Sequence, residues 1–388
     1  MISTRFDIRI PFYLLAASIC SLMISLFFLQ LFLGLLVLLW LLEKTENKKK
    51  AFDIFTLLIA IFGFTRILSI IFSLYPASSV QSLYKEALFY LGFLAMGFYL
   101  KAMDKENIRK IAFTFTISSI AVAIIGLILF NLKLVDRAQS FSSGYATFSS
   151  YLITAAGVYI ALQFSDRKQI NWVLWAAGLS IIFSAIITSL GRTNIIIAAL
   201  LFIAGLIFHK IKIKQAIIII FLTTLISFLS FQNNSSSLSQ RVENPTGLSD
   251  RNIIWKGFET LKLQHPFLGF GPRTFHDIFP YVNELGDKKI GSWHNDFIQM
   301  YFESGALGLI TFTILILITI YFPIVYLRKP GLIKSNCNIL LGILLGTLAL
   351  VLSSLTAGFI SSPVLSIVFA LLISLLSAVT YYTNLKRI

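Results

Sequence analysis

Three side chains that could take part in chemistry stand beside long apolar runs. Arg192 lies in the short turn Ser189-Leu190-Gly191-Arg192-Thr193-Asn194 between two apolar runs. Arg251 and His294 lie in the interval 235–305, the one long stretch without an apolar run of membrane length. A charge so close to hydrocarbon is costly, so such residues are functional candidates. Imidazole can take up a proton near neutral pH, and the planar fork of arginine suits phosphate oxygens.

Each of these residues also has a structural interpretation. Arg192 could end a span and extend its charge to the interface. Arg66, deeper in its own run, needs either an internal ion pair or a bound anion. Arg251 and Arg273 could be solvated surface charges, and they suit a lipid-linked pyrophosphate only if they converge. A lone histidine such as His294 is often structural, but its neighbours favour a function. Trp293 is an aromatic of the kind that anchors helices at the membrane interface. Asn295 and Asp296 could orient the histidine through hydrogen bonds.

Several other chemistries lack their motifs. The chain has no P-loop, no HExxH, no GxSxG and no Asp-x-Asp, and it has no close pair of carboxylates with a ligand histidine. Its two cysteines, Cys20 and Cys337, lie near apolar runs and offer neither a disulfide framework nor a thiolate metal site. We therefore favour a chemistry that needs no metal, no nucleotide and no cofactor.

The composition indicates the kind of scaffold that positions these residues. With 57% hydrophobic and 13% charged residues and a mean hydropathy of +0.85, the chain is typical of a polytopic membrane protein. A net charge of +15 would suggest nucleic acid in a soluble protein, but here the bias that orients membrane proteins explains most of it, so we expect membrane lipids and no nucleic acid as partners. No small-residue cleavage site follows Arg5 and Arg9, so the first run is expected to be a retained span.

Apolar runs predict about twelve transmembrane helices in an all-α fold. The run from Pro11 to Leu42 predicts two short or tilted helices that break near Phe28 to Gln30. The other spans are expected near 53–74, 86–100, 111–131, 149–164, 172–190, 194–208, 216–231, 306–327, 338–357 and 364–383.

The basic residues predict the orientation of these spans. Twenty Lys and Arg fall on one side of the predicted helices, against five in the short connections and span ends of the other side and seven in the long interval. Because basic loops resist translocation, both termini are expected in the cytoplasm and the interval in the periplasm. We divide the chain into a transmembrane bundle of about nine helices (1–231), a periplasmic loop domain (232–305) and about three C-terminal transmembrane helices (306–388).

The long interval has its own order of elements. Asp250 can cap an amphipathic helix through about Lys262 that lies along the membrane surface. A tight turn, Pro266-Phe267-Leu268-Gly269-Phe270-Gly271-Pro272, follows, and His294 is expected at or near the start of the next helix. Glu303, nine positions on and half a turn round at ~100° per residue, cannot pair with His294 within one straight helix and is expected to be structural, beside a bend at Gly305.

At this point three stretches together resemble the O-antigen ligase and polymerase superfamily of integral-membrane glycosyltransferases. Leu190-Gly191-Arg192-Thr193 is similar to an outer turn that bears an essential arginine. Residues 249–257 with 265–275 resemble the arginine-to-tryptophan helix and Pro-x-x-Gly-x-Gly turn. Trp293-His294-Asn295-Asp296-Phe297-Ile298-Gln299, followed by 303–308, is similar to the histidine signature.

The resemblance implies a glycosyltransferase of the bacterial inner membrane with its active site facing the periplasm. Its donor would be a glycan on undecaprenyl pyrophosphate and its acceptor a sugar hydroxyl of the lipid A core oligosaccharide, in lipopolysaccharide biosynthesis. His294 would activate the acceptor, while Arg192 and Arg251 bind the pyrophosphate and stabilise its leaving charge. We also expect Arg66, Arg273, Asn295 and Trp255 to bind substrate.

Other functions remain open at the sequence level. A polymerase would use the same residues on a second lipid-linked repeat, although we prefer the ligase. A lipid-linked glycan flippase or transporter also suits about twelve spans, but it should carry charges through the spans, and most of these lack them. A purely structural scaffold would not need Arg192 and His294 near apolar ends.

Overall fold

The computed structural model describes residues 2, 4–162, 171–233, 251–285, 291–329 and 334–385. Over these ranges the chain is all-helical, without a β-strand. The helices are α1 (Arg9–Ser21), α2 (Leu26–Leu41), α3 (Thr45–Lys50), α4 (Ile54–Ile71), α5 (Pro76–Ala102), α6 (Lys105–Asn131), α7 (Tyr145–Leu162), α8 (Trp172–Thr188), α9 (Arg192–Ile207), α10 (Ile213–Asn233), α11 (Arg251–Leu261), α12 (Phe275–Ile278), α13 (Asp296–Leu327), α14 (Lys334–Ser354) and α15 (Pro363–Leu385), with a 3₁₀ turn at Val282–Leu285.

The helices support a multi-pass membrane protein. In the described ranges, seven of them (α4, α6, α7, α10, α13, α14 and α15) are long and apolar enough to cross a membrane. Four shorter apolar helices accompany them, namely α1, α2, α8 and α9. Each of the twelve predicted spans overlaps one helix, α5 included, but the count of twelve membrane crossings stays a prediction.

Two predicted boundaries are wrong. The break in the first apolar run lies at Leu22 to Ser25 and not near Phe28 to Gln30, because the Ser25 side chain caps α2 by accepting from the Phe28 N–H. Helix α5 begins at Pro76, well before the predicted residue 86. Its first turns are polar, so hydropathy alone did not reveal them, while proline at the first position favours a helix start.

Helices α7, α14 and α15 form the centre of the bundle and are almost wholly buried, whereas α4 and α10 expose most of their surface. Helices α7 and α14 pack closely because of glycine. A Cβ on Gly157 would lie 2.7 Å from the backbone nitrogen of Gly346, so a larger residue would force the two helices apart. Small residues at such contacts are typical of membrane helix packing.

One end of the bundle carries the candidate residues, and we call it the site end. There α4 ends and α2, α5, α9, α13 and α15 begin. A second, aromatic core covers this end and is built from Ile254, Leu261, Phe270, Phe275, Phe279, Leu285, Trp293 and Phe302. Trp293 is 2% exposed and stacks on Phe302 with ring centroids 4.0 Å apart, so it is a core residue and not the interfacial aromatic that the sequence suggested.

Helix α11 packs its apolar side onto this core. The predicted helix from 250 to about 262 is present as Arg251–Leu261, with Ile254, Gly257 and Leu261 buried. The proposed cap, Asp250, lies outside the described residues. A Cβ on Gly257 would meet the Phe279 ring, so this close contact fixes α11 against the connection that follows it.

Candidate active site

Helix α13 begins two residues after His294, at Asp296. The Asn295 side chain caps it by accepting hydrogen bonds from the N–H groups of Phe297 (2.9 Å) and Ile298 (3.2 Å). His294 itself has φ +50°, a left-handed conformation that is uncommon for residues other than glycine. Such backbone outliers cluster at functional sites. The predicted position of His294 at the start of a helix is therefore confirmed.

The Pro-x-x-Gly-x-Gly turn caps a break in α13. At Gly305 (φ +62°) the helix is interrupted, which frees carbonyl and N–H groups on either side. The Phe270 N–H donates to the Phe302 carbonyl (2.7 Å), and the Ala306 N–H donates to the Pro266 carbonyl (2.7 Å). A Cβ on Gly305 would lie 2.1 Å from the Phe267 carbonyl, so this position requires glycine both for its backbone angle and for the close approach.

Arg66 is held by two carboxylates below this break. Its Nη2 and Nε contact the Glu86 carboxylate at 2.6 and 3.2 Å, and its Nη1 contacts Glu303 Oε2 at 2.7 Å. Arg66 and Glu303 are buried and Glu86 is partly buried, so the internal ion pair that the sequence left open is present. Glu303 has the structural role expected of it, and a contact between Arg66 and substrate remains a prediction.

Arg273 joins the same network from the turn. Its backbone N–H donates to Glu303 Oε1 (2.9 Å), and its Nε lies 4.0 Å from Glu86 Oε1. This buried Nε has no hydrogen-bond partner among the residues that the structure describes, and Arg273 has φ +62°. Gln299 also donates to Glu303 Oε1 (3.0 Å). Arg66 and Arg273, predicted separately, thus share Glu86 and Glu303.

His294 and Arg251 lie close to each other. Partial burial, and after it the Arg251 charge, lower the pKa of His294 below its ordinary value. The imidazole is therefore neutral at neutral pH, as a general base must be. Within the described ranges neither ring nitrogen forms a hydrogen bond, which leaves the ring available to an incoming hydroxyl. Arg251 is exposed and forms no ion pair with a described residue.

Arg192 begins α9, and a buried polar network connects that helix start to the start of α13. Asn194, two residues after Arg192, donates to Ser149 Oγ (2.7 Å) on α7 and accepts from Ser353 Oγ (2.8 Å) on α14. The Asn295 side chain donates to the Leu355 carbonyl (3.3 Å), which lies in the connection after α14. The starts of α9 and α13 are thus linked through the end of α14 and the connection 355–362 that follows it.

Asp296 fastens the same connection. Its carboxylate accepts from the N–H groups of Phe359 (2.7 Å) and Ile360 (3.4 Å), and Gln299 donates to Ser361 Oγ (2.6 Å). Asn295 and Asp296 therefore hold this connection against the start of α13, and the orienting role toward His294 that the sequence suggested remains a prediction.

Trp255, predicted to bind substrate, projects from α11. It is 56% exposed and stacks on Phe258 with ring centroids 5.0 Å apart. An exposed aromatic face at this position is compatible with stacking on a sugar, and that role remains a prediction.

Sequence analysis missed Glu86 and the connection 355–362. Glu86 stands at the very start of the span predicted near 86–100, where a charged residue is ordinary, and residues 355–362 resemble an ordinary turn. The one available signal was electrostatic, since a buried Arg66 requires a carboxylate somewhere in the chain.

Among the described residues, no group of three or more His, Cys, Asp or Glu is placed to hold a metal ion.

Comparison with known proteins agrees with this site. Residues 176–313, from α8 into α13, match the family model described as O-antigen ligase, and the match includes Arg192, Arg251, Arg273 and His294. The match covers 138 of the 388 residues and supports membership of the O-antigen ligase and polymerase superfamily, which the motifs resemble, and with it a membrane enzyme of the ligase or polymerase type. No match was found among curated proteins.

Proposed function

We propose that this protein transfers a glycan from undecaprenyl pyrophosphate to a sugar hydroxyl of the lipid A core, as an O-antigen ligase. The observation that carries the proposal is His294, an imidazole without a hydrogen bond to any described residue, next to Arg251 within the matched segment. Its lowered pKa keeps it neutral and able to accept a proton. The family description supports a ligase, while the residues alone would also serve a polymerase.

The reaction follows from these groups. His294 takes the proton of the acceptor hydroxyl as the acceptor oxygen attacks the anomeric carbon of the glycan. The bond from that carbon to the pyrophosphate oxygen breaks, and the lipid pyrophosphate leaves with the electron pair. Arg192 and Arg251 stabilise its developing negative charge. Asn295 positions His294 by capping α13, and Trp255 and Arg273 contact the donor.

We propose further that the site end faces the periplasm and that both termini are cytoplasmic. The division into 1–231, 232–305 and 306–388 belongs to the same proposal. The distribution of basic residues supports this orientation. A reporter that works only outside the cytoplasm should be active after Asn244 or Lys288 and inactive after Lys49 or Lys212. A cytoplasmic signal from the interval would contradict both the orientation and the function.

The function is tested with purified protein, undecaprenyl-pyrophosphate glycan and lipid A core in detergent, with a chelator present. Substitution of His294 by alanine should lower transfer by a factor of about a hundred or more, the usual contribution of a general base. His265→Ala and His276→Ala, which lie outside the signature, are matched controls and should have much smaller effects. Equal transfer by the His294 variant would remove it from the mechanism.

The same assay separates the alternatives. Products that carry several joined repeats on the lipid pyrophosphate, without transfer to core, would indicate a polymerase. Movement of lipid-linked glycan across vesicles, without transfer to any acceptor, would indicate a flippase.

A further inference from the structure

Two highly exposed apolar side chains lie on the turn after α11, residues 262–268. Leu263 is 79% exposed and Phe267 is 75% exposed, which are the two largest values among the large apolar side chains that the structure describes. The buried side of α11 packs on the aromatic core, and neither Leu263 nor Phe267 belongs to that core. Within the described chain these two side chains therefore lack an apolar cover.

The turn 262–268 runs along α13 at the depth of its break. The Ala306 N–H donates to the Pro266 carbonyl (2.7 Å), and the Leu307 N–H donates to the Phe267 carbonyl (3.4 Å). Leu307 begins a stripe of exposed apolar and aromatic side chains that recur every three or four residues and so share one face of the helix, namely Leu307, Ile310, Ile314, Leu317 and Tyr321. The stripe is about 21 Å long, which covers most of a hydrocarbon thickness of about 30 Å. Phe267 thus adjoins the end of a face suited to lipid.

Helix α4 gives an independent measure of this depth. Thr65 Oγ1 and Thr311 Oγ1 lie 3.2 Å apart, and α4 runs toward the site end while α13 runs away from it. From this contact α4 continues about 9 Å toward the site end to Ile71, whereas Leu307 lies only about 6 Å beyond Thr311. Ile71 is an exposed apolar residue. The exposed apolar surface of α4 therefore extends past the depth of Phe267, which places the turn at the hydrocarbon level.

The backbone of the turn is suited to that depth. Irregular backbone is tolerated at membrane depth only where its polar groups find partners. Pro266 has no N–H to satisfy, and the Pro266 and Phe267 carbonyls accept from α13 at the break around Gly305. The Gly269 N–H donates to the His265 carbonyl (3.1 Å). The turn can therefore enter hydrocarbon without leaving these groups unpaired.

We propose that the turn 262–268 inserts Leu263 and Phe267 into the acyl chains of the bilayer leaflet at the site end. The partner is the lipid surface itself, because the two side chains continue the exposed apolar stripe of α13. The insertion anchors the end of α11 in the membrane. It concerns the position of the turn and not the reaction, so it goes beyond the proposed function and does not depend on it.

The test attaches an environment-sensitive fluorophore to single cysteines in the full chain, with both native cysteines replaced by serine, in nanodiscs. Leu263→Cys and Phe267→Cys are read separately, since an exposed position tolerates a label and either variant serves if the other does not fold. Leu317→Cys, 58% exposed on the α13 stripe, is the lipid control. Glu284→Cys, at an exposed acidic position in the 3₁₀ turn, is the water control.

The labels on the turn should behave like the lipid control. Their emission should shift to shorter wavelength relative to Glu284→Cys, because acyl chains are less polar than water. Nitroxides on the upper acyl chains should quench them more strongly than aqueous iodide does, and the order should reverse for Glu284→Cys. Nitroxides near the bilayer centre should quench Leu317→Cys more strongly than Phe267→Cys, since Phe267 lies toward the edge of the hydrocarbon.

Two results would overturn the insertion. One is emission and iodide quenching in Leu263→Cys and Phe267→Cys equal to those in Glu284→Cys, because both side chains would then lie in water. The other is protection from iodide without quenching by lipid nitroxides, together with cross-linked dimers of Phe267→Cys, which would assign the surface to a second copy of the chain. Lipid quenching in a protein that transfers no glycan would support the insertion and contradict the proposed function. Glycan transfer by a protein whose labels lie in water would do the reverse.

Discussion

The buried contact between Arg66 and Glu303 allows a quantitative test of what holds the site end together. Glu303 is 3% exposed and faces three donors, namely Arg66 Nη1, the Arg273 N–H and the Gln299 amide. In Glu303→Gln, one carboxylate oxygen becomes an amide nitrogen, so at least one of these donors faces another donor. The substitution also leaves a buried network with an excess positive charge. Removal of one partner of a buried pair typically costs about 3–5 kcal/mol.

The measurement is equilibrium unfolding in mixed micelles titrated with SDS, and two controls define its meaning. Glu106→Gln breaks an exposed pair with Arg109 (3.8 Å, Glu106 54% exposed) and should cost at most about 1 kcal/mol. Asp53→Asn breaks the Lys101–Asp53 pair (2.8 Å) at the opposite end of the bundle. Asp53→Asn should lower the free energy of unfolding without changing the glycan transfer measured per folded molecule.

Glu303→Gln should lower both stability and transfer, because Glu303 positions the turn that caps α13. A loss of stability no larger than that of Glu106→Gln would refute this reasoning. Normal transfer by folded Glu303→Gln protein would show that the network stabilises the fold without positioning the site.

Two further predictions concern the charges at the site. Because the pKa of His294 lies below its ordinary value of about 6.5, transfer should be complete at neutral pH and fall as the pH drops through that lowered pKa. Arg251→Gln removes the Arg251 charge, which is the smaller of the two causes that lower the pKa of His294. The acid limb in the pH profile of kcat/KM should therefore move to higher pH in Arg251→Gln and stay in place in Arg251→Lys. An unmoved limb in Arg251→Gln would contradict the coupling. Arg192→Lys and Arg251→Lys keep their charge but lose the planar fork, so transfer should fall strongly at normal membrane abundance, and full activity in both variants would reduce these arginines to surface charges.

Most of the helical architecture could be predicted because an apolar run of sufficient length encodes a span directly. Each predicted span overlaps a helix, and His294 lies at a helix start as expected. The errors occur where polarity and helix formation separate. The first turns of α5 are polar but helical, and Gln30 lies inside α2 although it is a polar residue in an apolar run.

The contacts within the site could not be predicted in the same way. Arg66 meets Glu86 and Glu303, which are 20 and 237 positions away, and no local spacing rule relates residues so far apart. The sequence predicted a tight turn around Gly269 whose glycines permit unusual backbone angles. Its actual task is to satisfy the backbone groups that the break at Gly305 leaves free, and that need exists only once both segments are folded.

The pairing of each arginine with acid indicates which of them can bind a substrate phosphate. Arg66 is buried and has both sides of its guanidinium occupied by carboxylates, so an anion could reach it only by displacing one of them. Arg251 is exposed, has no ion pair with a described residue and lies near an imidazole whose pKa it lowers. Arg273 is intermediate, since its Nε is 4.0 Å from Glu86 and the side chain also lines a groove between α2, α5 and α15. We therefore expect Arg251 to receive charge that develops during the reaction, whereas Arg66 holds together the helices on which the site is built.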